Sequence, residues 1–199
     1  MQKFLAVDTA AAHLTVLACG KKTALRFVEN CALRQSVMLM GEVESAMEEA
    51  ELAPAECDFF CAVTGPGSFT GIRIGISAAK GFALAEGKPL LPLTSFELIA
   101  YNVDCEDFFA MVDAAHGHSY ACRFTGGAPG APAYVSDEEL VASGLPLYGF
   151  EERALPRYTA LNAGDCLLPA ITARLSSGEP FGEMHALYVR RSQAEEGRK

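Results

Sequence analysis

The segment from Phe59 to Glu86 constrains the fold of this chain more than any other. Its apolar beginning, Phe59–Thr64, has the length and composition of a buried strand. The glycines of the following turn allow backbone angles that are closed to other residues, and its proline fixes one angle. We predict a sharp turn and then a helix that begins at a capping serine and runs to about Glu86. The turn consists of Gly65, Pro66, Gly67 and Ser68.

Small residues recur at every fourth position of this predicted helix and form one face almost without side chains. An interior glycine costs a helix about 0.8–1 kcal/mol relative to alanine, so two on one face indicate that another backbone approaches closely. We call this face the small-residue stripe. It consists of Gly71, Gly75, Ala79 and Ala83.

Two interpretations of the turn and helix remain open. A glycine-rich turn at a helix N-terminus can hold a phosphate, or it can be purely structural, with the stripe as a packing surface. The segment matches none of three standard motifs: the dinucleotide fingerprint, the P-loop and the hydrolase elbow. Thr70 stands where the dinucleotide fingerprint needs glycine, and no lysine follows the glycines before Lys80. The hydrolase elbow needs glycines two residues on either side of Ser68, where Pro66 and Thr70 stand instead.

Composition and charge narrow the function further. The net charge of −9 and the pI of about 4.9 weigh against direct nucleic-acid binding, which usually needs a basic face. The seven cysteines contain no C-x-x-C pair and indicate no zinc site. Asp8 interrupts the apolar N-terminal stretch, which disfavours a signal peptide. With no bilayer-length apolar run, we expect a cytoplasmic protein without a membrane partner.

The order of predicted elements indicates two lobes. Strands at 3–8, 13–19 and 23–30 predict an antiparallel meander, and the next helix extends from Arg34 to Leu52. After the Phe59–Glu86 segment, a short strand and a capping box at Thr94–Glu97 complete a first lobe over residues 1–104. Residues 105–199 predict a smaller second lobe and a charged tail. Its elements are strands at 108–114, 117–124 and 146–150, a helix after a capping box at Ser136–Glu139, and a helix at 165–177.

Asp8 is the main candidate for chemistry outside the glycine turn. An acid at the end of a first strand, followed by a tight turn, is typical of the first phosphate loop of actin-like ATPases, where it holds a metal ion. The turn Thr9–Ala12 lacks the glycine of that loop, so Asp8 is either a vestige of it or a cap of the turn. No His-Glu-x-x-His motif or evident Ser, His and Asp set is present. The sequence therefore lacks a recognisable catalytic constellation.

Several of these segments together resemble the TsaB (YeaZ) family, bacterial accessory proteins for threonylcarbamoyladenosine modification of tRNA. The resemblance covers the first lobe almost entirely and continues weakly through residues 187–192. It implies an actin-like ATPase (ribonuclease H-like) two-lobe α/β fold, with a mixed sheet and flanking helices. The segments that carry it are Leu5–Thr9, Gly65–Gly75, Ala79–Gly81 and Ser95–Glu97.

The resemblance also implies a function. Such a chain is a catalytically silent relative of the TsaD transferase, needs no cofactor or metal, and serves as a scaffold that pairs with TsaD through its first two helices. A TsaE ATPase joins them, tRNA is reached only through the complex, and the free chain can form a homodimer. The alternative is an active ATP-using enzyme built on Asp8 and the Gly65–Gly67 loop. A peptidase would have to use Ser68.

We therefore expect the partner surface to combine the small-residue stripe with one face of the preceding helix. Two nearby positions depart from the family pattern, because Gln35 replaces a common histidine and Gly41 a common proline. The expected partner-surface residues are Met40, Val43, Met47, Gly71, Gly75, Ala79 and Ala83.

Overall fold

The computed structural model describes residues 2–178 and 180–190. Their strands form two sheets, which are flanked by helices. The first sheet has the order β3-β2-β1-β4-β5. Its first three strands pair antiparallel, and β4 and β5 add in parallel beside β1. Every residue of β1, β2 and β4 is buried, because helices cover both faces. The strands are β1 (Phe4–Asp8), β2 (Leu14–Cys19), β3 (Thr23–Val28), β4 (Phe59–Val63) and β5 (Leu90–Leu93).

Four helices surround the first sheet. Two of them pack side by side on one face, one packs on β2 and β3 from the opposite face, and the shortest lies between that helix and the second sheet, with its Leu98 in the core of the first. The first pair is α1 (Gln35–Glu49) and α2 (Phe69–Glu86), and the second pair is α3 (Ser95–Ala100) and α5 (Ala163–Leu175). None of the helices in the described part of the chain combines the length and apolarity needed to cross a bilayer.

The second sheet repeats the plan of the first in reduced form. An antiparallel hairpin is again followed by a helix and by two parallel strands, in the order β11-β10-β6-β7-β8, with β9 also paired to β7. Where the first lobe has α2, the second has only the loop 150–157. The elements are β6 (Phe108–Asp113), β7 (His118–Thr125), β8 (Ala128–Pro129), β9 (Ala133–Ser136), α4 (Asp137–Ala142), β10 (Leu147–Gly149) and β11 (Tyr158–Ala160).

A buried ionic network fixes the loop 150–157. Arg153 donates to the Ser119 hydroxyl at 2.8 Å and pairs with the carboxylate of Asp137. The Ser119 hydroxyl in turn donates to Asp137 at 2.8 Å. The network ties the loop to β7 and to the first turn of α4.

The predicted strands of the first lobe and both capping boxes are confirmed. The sequence assigned residues 165–177 to the second lobe, but α5 packs on β2 and β3. Cys166, Leu167 and Ile171 therefore belong to the core of the first sheet. The charged tail predicted after residue 191 lies outside the described residues, as do Arg191 and Ser192 at the end of the family resemblance.

Candidate functional site

Tight backbone contacts join the glycine turn to the turn that follows β1. The N–H of Ser68 donates to the carbonyl oxygen of Ala10 at 2.6 Å. A Cβ at Gly67 would overlap that same carbonyl, so only glycine fits there. The hydroxyl of Ser68 accepts from the N–H of Gly71 at 3.2 Å, which confirms the predicted helix cap. Among the described residues no histidine bonds to this hydroxyl, so Ser68 lacks the base that a peptidase nucleophile needs.

Both carboxylate oxygens of Asp8 are bonded within the chain. Oδ1 accepts from the N–H of Ala10 at 2.8 Å, and Oδ2 lies 3.0 Å from Nε2 of His13. Both side chains are buried. Burial lowers the pKa of His13, but the Asp8 carboxylate raises it more, and the net pKa lies above the ordinary 6.5. Asp8 therefore caps the turn and neutralises a buried histidine that sequence reasoning did not connect to it.

Two cavities meet between the lobes beside these turns. One of about 360 Å³ extends from the glycine turn to the β6–β7 turn, and one of about 550 Å³ lies beside His13. Glu151 lines both, and burial raises the pKa of its carboxyl above the ordinary 4.5. The smaller cavity also contains Asp113, and no described residue of its walls carries a positive charge. The smaller cavity is thus acidic.

The smaller cavity is poorly suited to a phosphate and its metal ion. A phosphate loop offers free backbone N–H groups and a nearby cation. Here the N–H groups of Ala10 and Ser68 already bond to Asp8 and Ala10, and the walls would repel an anion. Within residues 2–178 and 180–190, no cluster of three or more His, Cys, Asp or Glu side chains could hold a metal ion. The geometry therefore weighs against the alternative of an ATP-using enzyme.

The small-residue stripe of α2 packs against β1 of its own sheet. A Cβ at Gly71 would overlap the carbonyl oxygen of Thr9, and one at Gly75 would lie 2.6 Å from the Thr9 hydroxyl. Thr9 donates this hydroxyl to the carbonyl of Gly71 at 2.7 Å. Ala79 and Ala83 are buried in the same core. The structure therefore corrects the expectation of an exposed stripe, because all four residues are buried within the chain and the backbone that approaches Gly71 is that of Thr9.

The expected contribution of α1 is corrected as well. Val43 and Met47 are buried over the first sheet, whereas Met40 is 54% exposed. Val37, 83% exposed, lies three residues before Met40, and this spacing places both side chains on one outward face of α1. Leu33, 92% exposed, lies just before the helix. We call these three exposed residues the α1 outer stripe. Leu33 adopts a φ of +67°, a conformation rare for a large side chain. These apolar residues are evident in the sequence, but only the tertiary contacts show which apolar face of α1 is exposed to solvent.

Sequence comparison identifies the class of protein to which this fold and cleft belong. The profile of the TsaD family, described as tRNA N6-adenosine threonylcarbamoyltransferase, matches residues 29–137. This range exceeds half of the 199 residues, and the chain belongs to this family.

Within this class the chain is similar to proteins named TsaB, which confirms the resemblance predicted from the sequence. The tRNA threonylcarbamoyladenosine biosynthesis protein TsaB of Bacillus subtilis is 30% identical over 99 residues, or 49% of this chain and 43% of that protein. The TsaB protein of Escherichia coli is 26% identical over 126 residues, or 61% of this chain and 54% of that protein. The chain thus spans about half the length of the curated relatives it matches.

A solved structure shares the whole architecture. YeaZ from Pseudomonas aeruginosa superposes with a TM-score of 0.75 at 22% identity, covering 94% of this chain and 100% of that one. The likeness confirms the predicted actin-like two-lobe α/β fold.

Proposed function

We propose that this chain is a non-catalytic subunit for threonylcarbamoyladenosine modification of tRNA, and that it acts by binding and stabilising a TsaD-like transferase. The names of its relatives support the pathway. The observation that carries the non-catalytic role is the bonding of Asp8. Its oxygens are bonded to Ala10 and His13, so the acid that the sequence marked as a possible metal ligand serves the structure of the turn. With this acid occupied, we favour a role through contact with a partner.

The α1 outer stripe is our proposed contact surface for the transferase. Leu33, Val37 and Met40 expose apolar side chains at the start of α1 and just before it, and covering apolar surface contributes roughly 25 cal/mol per Å². Leu84, 86% exposed on α2, adds a second apolar position on the neighbouring helix. A specific interface typically buries about 1,600 Å² in total, which requires that both helices take part.

The remaining parts of the proposal concern the assembly. A TsaE-like ATPase joins the pair. We propose that tRNA is bound only through the complex, since a chain of net charge −9 has no excess of cations to hold phosphates. In the absence of the transferase, the α1 outer stripe pairs with that of a second copy. The whole assembly works in the cytoplasm.

Light scattering on a size-exclusion column tests this proposal. The chain is run alone and then mixed with the TsaD-like protein of the same organism, with and without the TsaE-like protein and ATP. A one-to-one complex that replaces the free species is expected. Failure to form any complex under all of these conditions would contradict the proposed function. ATP hydrolysis by the chain alone, lost in Asp8→Ala, would contradict the non-catalytic role.

A further inference from the structure

A third cavity lies on the α3 and α5 side of the first sheet, away from α1 and α2. It encloses about 450 Å³, within the usual range for small-molecule sites. Its walls come from α3, from β7 and the loop after it, from α5 and from Leu187. It shares no lining residue with the two cavities between the lobes. The proposed scaffold function therefore leaves this cavity unexplained.

The floor of this cavity is aromatic and firmly packed. Phe96 and Phe124 are 3% and 4% exposed and belong to a core cluster that Leu187 also joins. Tyr101 and Cys122 complete the apolar part of the wall. Such a surface suits a compact apolar group, because the rings are held in place by the core behind them.

Arg174 supplies a positive charge to the wall of this cavity. Its Nε is shielded from solvent, and no described residue accepts a hydrogen bond from it. The other charged residue of the wall, Glu97, is committed to the cap of α3. Its carboxylate accepts from the N–H and the hydroxyl of Thr94 at 2.7 and 2.8 Å. The guanidinium thus stands beside an apolar cavity without an acidic partner in the described chain.

We propose that this cavity binds a small monocarboxylate, with its apolar body on the aromatic floor and its carboxylate on Arg174. A guanidinium presents paired N–H donors in one plane, which match the two oxygens of a carboxylate. Glu97 of the same wall repels any anion, and it repels a dianion about twice as strongly as a monoanion, so a singly charged acid is favoured over a phosphate. Since the wall combines α3 of the first lobe with β7 of the second, the bound acid joins the two lobes.

Fluorine NMR with a matched acid and amide tests the proposal. The probes are 4-fluorophenylacetate, 4-fluorobenzoate and 6-fluorohexanoate, with 4-fluorophenylacetamide as the neutral control. Line broadening of at least one acid, but not of the amide, is expected with the full chain. Amide shifts of Ala100, Tyr101 and Gly127 in a ¹⁵N spectrum then place the bound acid in this cavity.

Two substitutions provide the decisive comparison. Arg174→Met keeps the aliphatic stem and is expected to weaken binding of the acid about tenfold or more. Arg123→Met is the matched control. Arg123 lies in β7 between the wall residues Cys122 and Phe124, so its side chain is on the opposite face of the strand, and the substitution removes one positive charge without touching the cavity. If Arg174→Met does not fold, Arg174→Lys keeps the charge without the planar fork and is expected to bind the acid more weakly than the natural chain. Any of four results would overturn the proposal. The Arg174 and Arg123 variants could have equal effects, or the acid and the amide could broaden equally. No acid could broaden at all, or the amide shifts could be confined to the other cavities.

Discussion

Oδ2 of Asp8 and Nε2 of His13 lie 3.0 Å apart at the buried end of the first sheet. The His13 ring also packs against Phe27 of β3 and Phe150 of the loop after β10, with ring centroids 5.6 and 5.9 Å away. A single ion pair therefore neutralises the acid of the first turn and supports the contact between the two lobes.

The pair predicts how stability depends on pH. The folded state raises the pKa of His13 above 6.5, so it holds this proton more tightly than the unfolded chain does. The stabilisation is fully present below pH 6.5 and is lost as the pH rises through the folded-state pKa. Burial raises the folded-state pKa of Glu151, so the folded state also holds this proton more tightly, and stability decreases as the pH rises above 4.5. We expect the urea midpoint to fall as the pH increases across this range.

The substitution His13→Gln isolates the histidine contribution. It should flatten the pH dependence above pH 6.5, whereas His185→Gln, at a residue with a 73% exposed side chain, should leave the dependence unchanged. A slope that is the same in the natural chain and in His13→Gln would contradict the assignment.

Two glycines of α2 should respond to alanine with opposite signs. At Gly75 a Cβ would lie 2.6 Å from the Thr9 hydroxyl, so Gly75→Ala should destabilise the fold by about 1–3 kcal/mol. At Gly81 nothing lies within 4 Å of the added Cβ, so Gly81→Ala should stabilise the helix by about 0.5–1 kcal/mol. Urea denaturation followed by circular dichroism measures both. If Gly75→Ala weakened transferase binding without changing stability, the small-residue stripe would face a partner after all.

A charge on the α1 outer stripe should weaken partner binding and leave the fold intact. Val37 is 83% exposed, so Val37→Glu should change the free energy of unfolding by no more than about 0.5 kcal/mol. Affinity for the TsaD-like transferase should fall about tenfold or more, measured by calorimetry. Leu168→Glu, at a 41% exposed position of α5 on the other face, is the control and should bind normally. Equal binding by both variants would rule out α1 as the contact.

The ionic network of the second lobe should contribute strongly to stability. The side chains of Arg153 and Asp137 are only 16% and 11% exposed, so Arg153→Met leaves a nearly buried carboxylate unpaired. The expected loss is about 3–5 kcal/mol in the free energy of unfolding, measured by urea denaturation. Arg123→Met, at an exposed arginine of the same lobe, should cost no more than about 0.5 kcal/mol. An unchanged midpoint in Arg153→Met would show that the network contributes nothing.

Local signals predicted the first lobe well. The apolar runs, the Ser68 cap and the capping boxes at Thr94 and Ser136 depend on neighbouring residues alone, and the structure has all of them. The strands β8, β9 and β11, of two to four residues, were missed because they lack the apolar segments that marked the equally short β5 and β10.

Long-range packing determined what the sequence could not predict. The small-residue stripe correctly indicated a close backbone, but the spacing of Gly71 and Gly75 does not say whose backbone it is. The placement of α5 on the first sheet depends on contacts with β2 and β3. Glu151 reaches the space between the lobes only because Arg153 and Ser119 hold its loop, and no local motif marks that position.

The hydrogen bonds from Ser68 to Ala10 and from Thr9 to Gly71 make the two turns at the end of the first sheet a single rigid unit. Gln35, at the start of α1, is attached to the same unit through its bond to the carbonyl of Ala11 at 3.0 Å. The direction of α1 is thereby set before any partner arrives. A surface that keeps its bound shape in the free protein loses little conformational entropy on association. If α1 is the contact surface that we propose, the turns that resemble a phosphate loop contribute to recognition by fixing the orientation of this helix.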